Sequence, residues 1–140
     1  MPIEVHVDHG RRLVVARASG VLQDHEVFGY QLSTWSRSDV AGFDELVDMT
    51  AVVEIEVPSA GRVRELAALS ASMDQRVGTV GAETPPGRFV IVAPQEIAHA
   101  LGKMYAVFRE MEPASTKQVE VFRTMDSALV FLGITGPLEG

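Results

Sequence analysis

The run Arg88-Phe89-Val90-Ile91-Val92-Ala93 is apolar after its first residue and is bounded by Gly87 and Pro94. A strand with one wet face alternates polar and apolar residues, whereas an unbroken apolar run needs cover on both faces. Helices provide such cover, and the sequence supplies one directly. Behind Pro94, which suits a helix start, Ile97, Leu101, Met104, Tyr105, Phe108 and Met111 recur at helical spacing. Glu96, His99, Lys103 and Glu110 fall elsewhere on the cylinder. The pattern predicts a central strand over 88–93 and a helix that lays Leu101, Met104 and Phe108 against it, an α/β arrangement.

The remaining elements follow from the same two periodicities. Ile3, Val5 and Val7 alternate with Glu4, His6 and Asp8, the chain turns at His9-Gly10, and a β-branched run follows from Leu13 to Ala16, which reads as a hairpin. Asp24 can cap a helix carrying Val27, Phe28, Leu32 and Trp35 on one stripe, ended by Ser36, Ser38 and Gly42. Glu45-Leu46-Val47-Asp48-Met49 reads as a short inner strand, closed by Asp48 and Thr50. Behind Pro58-Ser59-Ala60-Gly61, the residues Val63, Leu66, Ala67, Ser70, Met73 and Val77 keep helical spacing. Gly78, Gly81 and Thr84-Pro85-Pro86-Gly87 mark a loop, 117–122 a last strand and 125–134 a last helix. The order ββαβαβαβα implies one domain over 1–140: a mixed sheet, antiparallel in its N-terminal hairpin and parallel afterwards, packed with about four helices. Residues 134–140 are expected to fray.

Composition removes several classes of function. The net charge of −7 and the scattered arginines leave no basic stripe for a phosphate backbone, so nucleic acid is not an expected partner. The absence of cysteine removes disulfides, thiolate metal ligands and thiol nucleophiles. No apolar run is long enough for a signal peptide or a membrane span, which leads to a cytoplasmic expectation. His6, Asp8 and His9, with His25 on the first helix, contain metal-ligand types, but they sit on the polar face and turn of a hairpin, so no metal site is expected. The common nucleophile-elbow, phosphate-loop, zinc-protease and dinucleotide motifs are all missing, so neither catalysis nor a cofactor is expected.

Five stretches resemble the STAS superfamily, in particular its SpoIIAA-like branch of small free-standing proteins. They are 11–22 (RRLVVARASGVL), 42–52 (GFDELVDMTAV), 87–94 (GRFVIVAP), 100–110 (ALGKMYAVFRE) and 119–132 (VEVFRTMDSALVFL). The resemblance implies a SpoIIAA-like α/β fold. It also implies a regulatory, protein-binding role like that of anti-sigma-factor antagonists, with an anti-sigma-factor or kinase-like partner and room for a homodimer. In that family a D-x-S-G-V strand is followed by a D-S-S-G-like turn bearing a phosphorylated hydroxyl. Asp48-Met49-Thr50-Ala51-Val52 is similar to the first element; in Pro58-Ser59-Ala60-Gly61, alanine precedes the glycine and Ser59 stands one place early. The resemblance thus directs attention to the junction 48–62, with Asp48, Thr50, Ser59 and Arg62 as partner-binding or phosphorylation candidates. The plainer chemistry is that Ser59 caps a helix and that Asp48 and Thr50 tie down a turning backbone. A second function, carriage or sensing of a small lipid-like ligand, would use Met104, Tyr105 and Phe108 as pocket residues and would require a cavity of roughly 300 Å³ or more.

Overall fold

The computed structural model describes residues 3–78, 87–136 and 138. The elements are β1 (Ile3–Asp8), β2 (Leu13–Leu22), α1 (Asp24–Thr34), β3 (Asp44–Ile55), α2 (Ala60–Gly78), β4 (Arg88–Val92), α3 (Glu96–Met111), β5 (Gln118–Phe122) and α4 (Met125–Leu132), with a 3-10 turn at Ser38–Val40. The five strands lie in sequence order, β1-β2-β3-β4-β5. The β1–β2 pair is antiparallel and the other three pairs are parallel, so the sheet is mixed as the hairpin and the later strand–helix alternation imply. The loop expected over 79–86 lies outside the described residues. So do positions 137, 139 and 140 of the expected frayed end, where Ile134 and Leu138 pack against an apolar cluster.

Crossovers that always step the same way along a sheet, each right-handed, place their helices on one face. Accordingly Val14, Ala16 and Ala18 of β2 meet α1, α2 and α3, while Leu13, Val15, Leu46, Val90 and Val92 meet α4 on the other. Val90 and Val92 are fully buried, and β4 is an inner strand, covered on both faces as its unbroken apolarity requires.

Four expectations need correction. The strand beginning at Glu45 does not close at Asp48 and Thr50 but runs on to Ile55. The stripe assigned to α1 is only partly inward, since Leu32 is exposed while Tyr30, Gln31 and Thr34 are buried. Asp24 is the first helical residue rather than the cap, its carboxylate held by Arg62. The fourth correction concerns α3, whose buried face is Ala98, Gly102, Tyr105 and Arg109. That face is turned by roughly a quarter of a helical turn from the expected stripe. Ile97, Met104 and Met111 are exposed instead. The physical reason is size: a Cβ on Gly102 would lie 3.2 Å from Val121 Cγ1, so the helix approaches the sheet along its smallest residues. Periodicity of apolar side chains does not register that preference.

Charged and polar groups occupy the core at the amino ends of β3 and β4. Glu45 is buried; Tyr30 Oη donates to its Oε2 at 2.6 Å, and Trp35 Nε1 donates to Tyr30 Oη at 2.9 Å. Lys117 Nζ lies 3.4 Å from Glu45 Oε1 and 3.4 Å from the centroid of the Trp35 ring. Beside them, the buried Arg109 donates to Tyr105 Oη at 2.8 Å and to Ser115 Oγ at 2.9 Å. These bonds join α1, β3, α3 and the start of β5, and they satisfy charges whose desolvation would otherwise be prohibitive.

Burial, reinforced by the Glu45 carboxylate, pushes the Tyr30 phenol well above its ordinary 10, and burial pushes Tyr105 up to about 12. A phenol whose pKa is raised on folding stabilises the fold fully below its unfolded pKa and loses that contribution as pH climbs through the folded value. The urea midpoint should therefore hold up to about pH 10 and fall between 10 and 12. Tyr105→Phe should soften that fall, and a midpoint that is level up to pH 12 would contradict the burial of both phenols.

Candidate functional site

The carboxyl end of the parallel sheet is where open α/β folds form sites, and here one strand overshoots its neighbour. The last β3–β4 pair is Asp48 with Val92, yet β3 continues to Ile55, paired beyond that level with β2 alone. Two bulges on β3 accommodate this, between Asp48 and Ala51 and between Val52 and Glu54. The first is fastened by Asp48, whose Oδ1 accepts from the Thr50 amide at 2.9 Å. The second lies opposite Gly20, where a φ of 67° favours glycine. Asp48 is buried on the α4 side of the sheet and 4.0 Å from Arg17 Nε, while Thr50 is exposed.

Gln95, the residue before α3, stands where β4 would have continued. Its Nε2 donates to Met49 O at 3.1 Å and to Val52 O at 2.8 Å, so one side-chain amide replaces the missing strand. Those two bonds fix the amide's orientation and leave Oε1 buried with no donor; His99 Nδ1, one turn further along α3, is likewise buried and unbonded. Next to Gln95 opens a cleft of about 410 Å³ lined by Val52, Val53, Glu54 and Ile55 on one side and Gln95, Glu96, Ile97 and Ala98 on the other. Val53 is 85% exposed and Ile97 53%, large values for apolar residues beside an unpaired strand edge.

Among the residues singled out from the sequence, hydrogen bonds join Asp48 with Thr50 and Ser59 with Arg62. Ser59 Oγ accepts from the Arg62 amide at 3.2 Å, the bond of a helix cap. Arg62 Nε donates to Asp24 at 3.0 Å, its Nη1 to Glu65 at 2.8 Å, and its guanidinium lies 4.0 Å from the centre of the Phe28 ring. Both Asp48 and Arg62 are thus held by other groups, Asp48 by Thr50 and Arg62 by Asp24. Of the pocket candidates, Met104 is exposed, Tyr105 belongs to the buried network with Arg109, and Phe108 is half-buried. An apolar cavity of about 130 Å³ does lie between the sheet and the helices, lined by Leu22, Met49, Val63, Ile91, Leu101 and Gly102 among others, but none of those three residues lines it. Its volume is below the roughly 300 Å³ expected of a small-molecule site. Among the described residues no three His, Asp or Glu side chains gather as a metal site would require, and His9 instead meets Asp39 at 3.0 Å. No helix among them is long and apolar enough to cross a membrane.

Sequence reasoning can place Pro94-Gln95-Glu96 beside the crevice at the carboxyl ends of the strands, but the bonds of Gln95 to β3 are not legible, because nothing local distinguishes it from a solvent-facing residue at a helix start. The only available signal was Val52-Val53-Glu54-Ile55, a β-branched run continuing past the supposed strand end.

No protein-family model and no curated protein matches the chain. Among solved structures it is similar to an uncharacterized protein of the DUF3478 family from Shewanella loihica PV-4, described as having a SpoIIAA-like fold. That similarity has 20% sequence identity and a TM-score of 0.45, and covers 93% of this chain and 91% of the other.

Proposed function

We propose that this protein is a non-enzymatic binding module that receives an extended segment of a partner protein along the free edge of β3, within the junction 48–62. The observation that carries the reading is the overshoot of β3 past β4, which leaves strand backbone open beside a cleft lined by Val53 and Ile97. Addition of a strand to such an edge supplies main-chain hydrogen bonds, while flanking side chains select the sequence. Val53 and Ile97 favour apolar residues at alternate positions of the guest, and the exposed Glu54 and Glu96 favour basic ones. A regulatory role follows if occupancy of the edge competes with another partner.

The test is an NMR titration of amide shifts with a synthetic peptide alternating valine and lysine. Shifts should concentrate at 52–55 and 95–98, and Ile97→Lys should weaken binding by about tenfold or more, since an exposed apolar contact becomes a like-charge one. Absence of binding, or shifts centred on another surface, would overturn the reading.

A further inference from the structure

The exposed side of α3 carries its own apolar seam. Ile97, Met104, Val107 and Met111 are 53%, 37%, 55% and 60% exposed, and Ala100 completes the series. Their spacing alternates three and four residues, the pattern that presents one continuous line to a second helix. This line lies opposite the Ala98, Gly102, Tyr105 and Arg109 face that meets the sheet, so α3 has two apolar sides. Leu101 and Phe108, half-buried, border the seam on one flank; Glu96, Lys103 and Glu110, all exposed, border it on the other.

We infer that α3 is a homodimer contact, in which the helix packs antiparallel against α3 of a second copy about a two-fold axis between Met104 and Val107. The flanking charges select this register. With Met104 against the partner's Val107 and Met111 against the partner's Ala100, Lys103 reaches the partner's Glu110, and the two-fold axis makes that ion pair twice. The other flank then sets Leu101 beside the partner's Phe108. A slip of one heptad, which places Ile97 against the partner's Val107, instead opposes Lys103 with the partner's Lys103 and Glu96 with the partner's Glu110. A parallel pairing sets Lys103 against an apolar flank. Neither Lys103 nor Glu110 has an ion pair among the described residues, so both are free to serve the second copy. The inference does not rest on the peptide-binding reading, which concerns the edge of β3.

Sedimentation equilibrium and a charge exchange test it together. The wild type should have twice the mass of the chain, and Met104→Glu should be monomeric with an unchanged thermal melt of the diluted protein. Lys103→Glu and Glu110→Lys should each weaken association by about tenfold or more, because symmetry turns each reversal into two like-charge contacts. The double variant should restore it. A monomeric wild type, a dimer indifferent to Met104→Glu, or a double variant no better than the singles would each overturn the inference. The valine–lysine peptide titration on the monomeric Met104→Glu variant reads the β3 edge separately.

Discussion

Replacing Glu45 by alanine is expected to destabilise the protein by about 3 to 5 kcal/mol, because it removes one partner of a buried ion pair. Lys117 is almost wholly enclosed, its ammonium between the Glu45 carboxylate and the face of Trp35. Truncation also takes away the acceptor for the Tyr30 hydroxyl and opens a void under α1. Glu45→Gln should lose less, since an amide oxygen can still accept from Tyr30. Adding Lys117→Met to Glu45→Ala should recover a substantial part of the loss, as apolar groups in place of both members of a buried ion pair carry no desolvation cost. Urea unfolding of these three variants, of Lys117→Met alone and of the wild type measures these differences. If the double variant is as unstable as the sum of the singles, the two groups do not interact as described.

Gly102→Leu is expected to be the most damaging change on α3, at about 1 to 3 kcal/mol or more. The first added carbon alone would sit 3.2 Å and 3.4 Å from the two γ-methyls of Val121 and 3.7 Å from Ile91 Cγ2, so the contact with Val121 is tighter than an ordinary one. Val121 is β-branched and buried in a sheet, so it cannot swing aside cheaply. Met104→Ser on the outer face should stay within about half a kcal/mol in the diluted monomer. The contrast separates the two possible orientations of α3. Comparable losses at both positions would return Met104 to the core.

The same contrast shows what the sequence made legible. The fold class, the hairpin, the element order and the inner position of 88–93 follow from periodicity and from glycine and proline punctuation, because burial on one or two faces imposes those patterns directly. The orientation of α3 does not follow, since nearness to the sheet is decided by the smallness of Ala98 and Gly102 rather than by the greasiness of Met104. The length of β3 was hidden by Asp48 and Thr50, polar residues that usually end a strand and here fasten a bulge within one. The burial of Glu45 and Lys117 is hidden because the two partners are 72 positions apart. The cleft shares that property. It exists only because β4 stops at Val92 and Gln95 turns back onto β3.

Spatial order equal to chain order has a consequence for how the molecule is made. As the polypeptide leaves the ribosome, each new strand can dock on the strand synthesised before it, and no earlier pairing has to be broken to admit a later one. The charge on Glu45 interrupts that steady progress. Its carboxylate emerges with β3, but the lysine that neutralises it is not synthesised until β4 and α3 are complete. A nascent chain ending before residue 117 therefore holds the Glu45 carboxylate without that lysine, and the ion pair closes only when the last strand arrives.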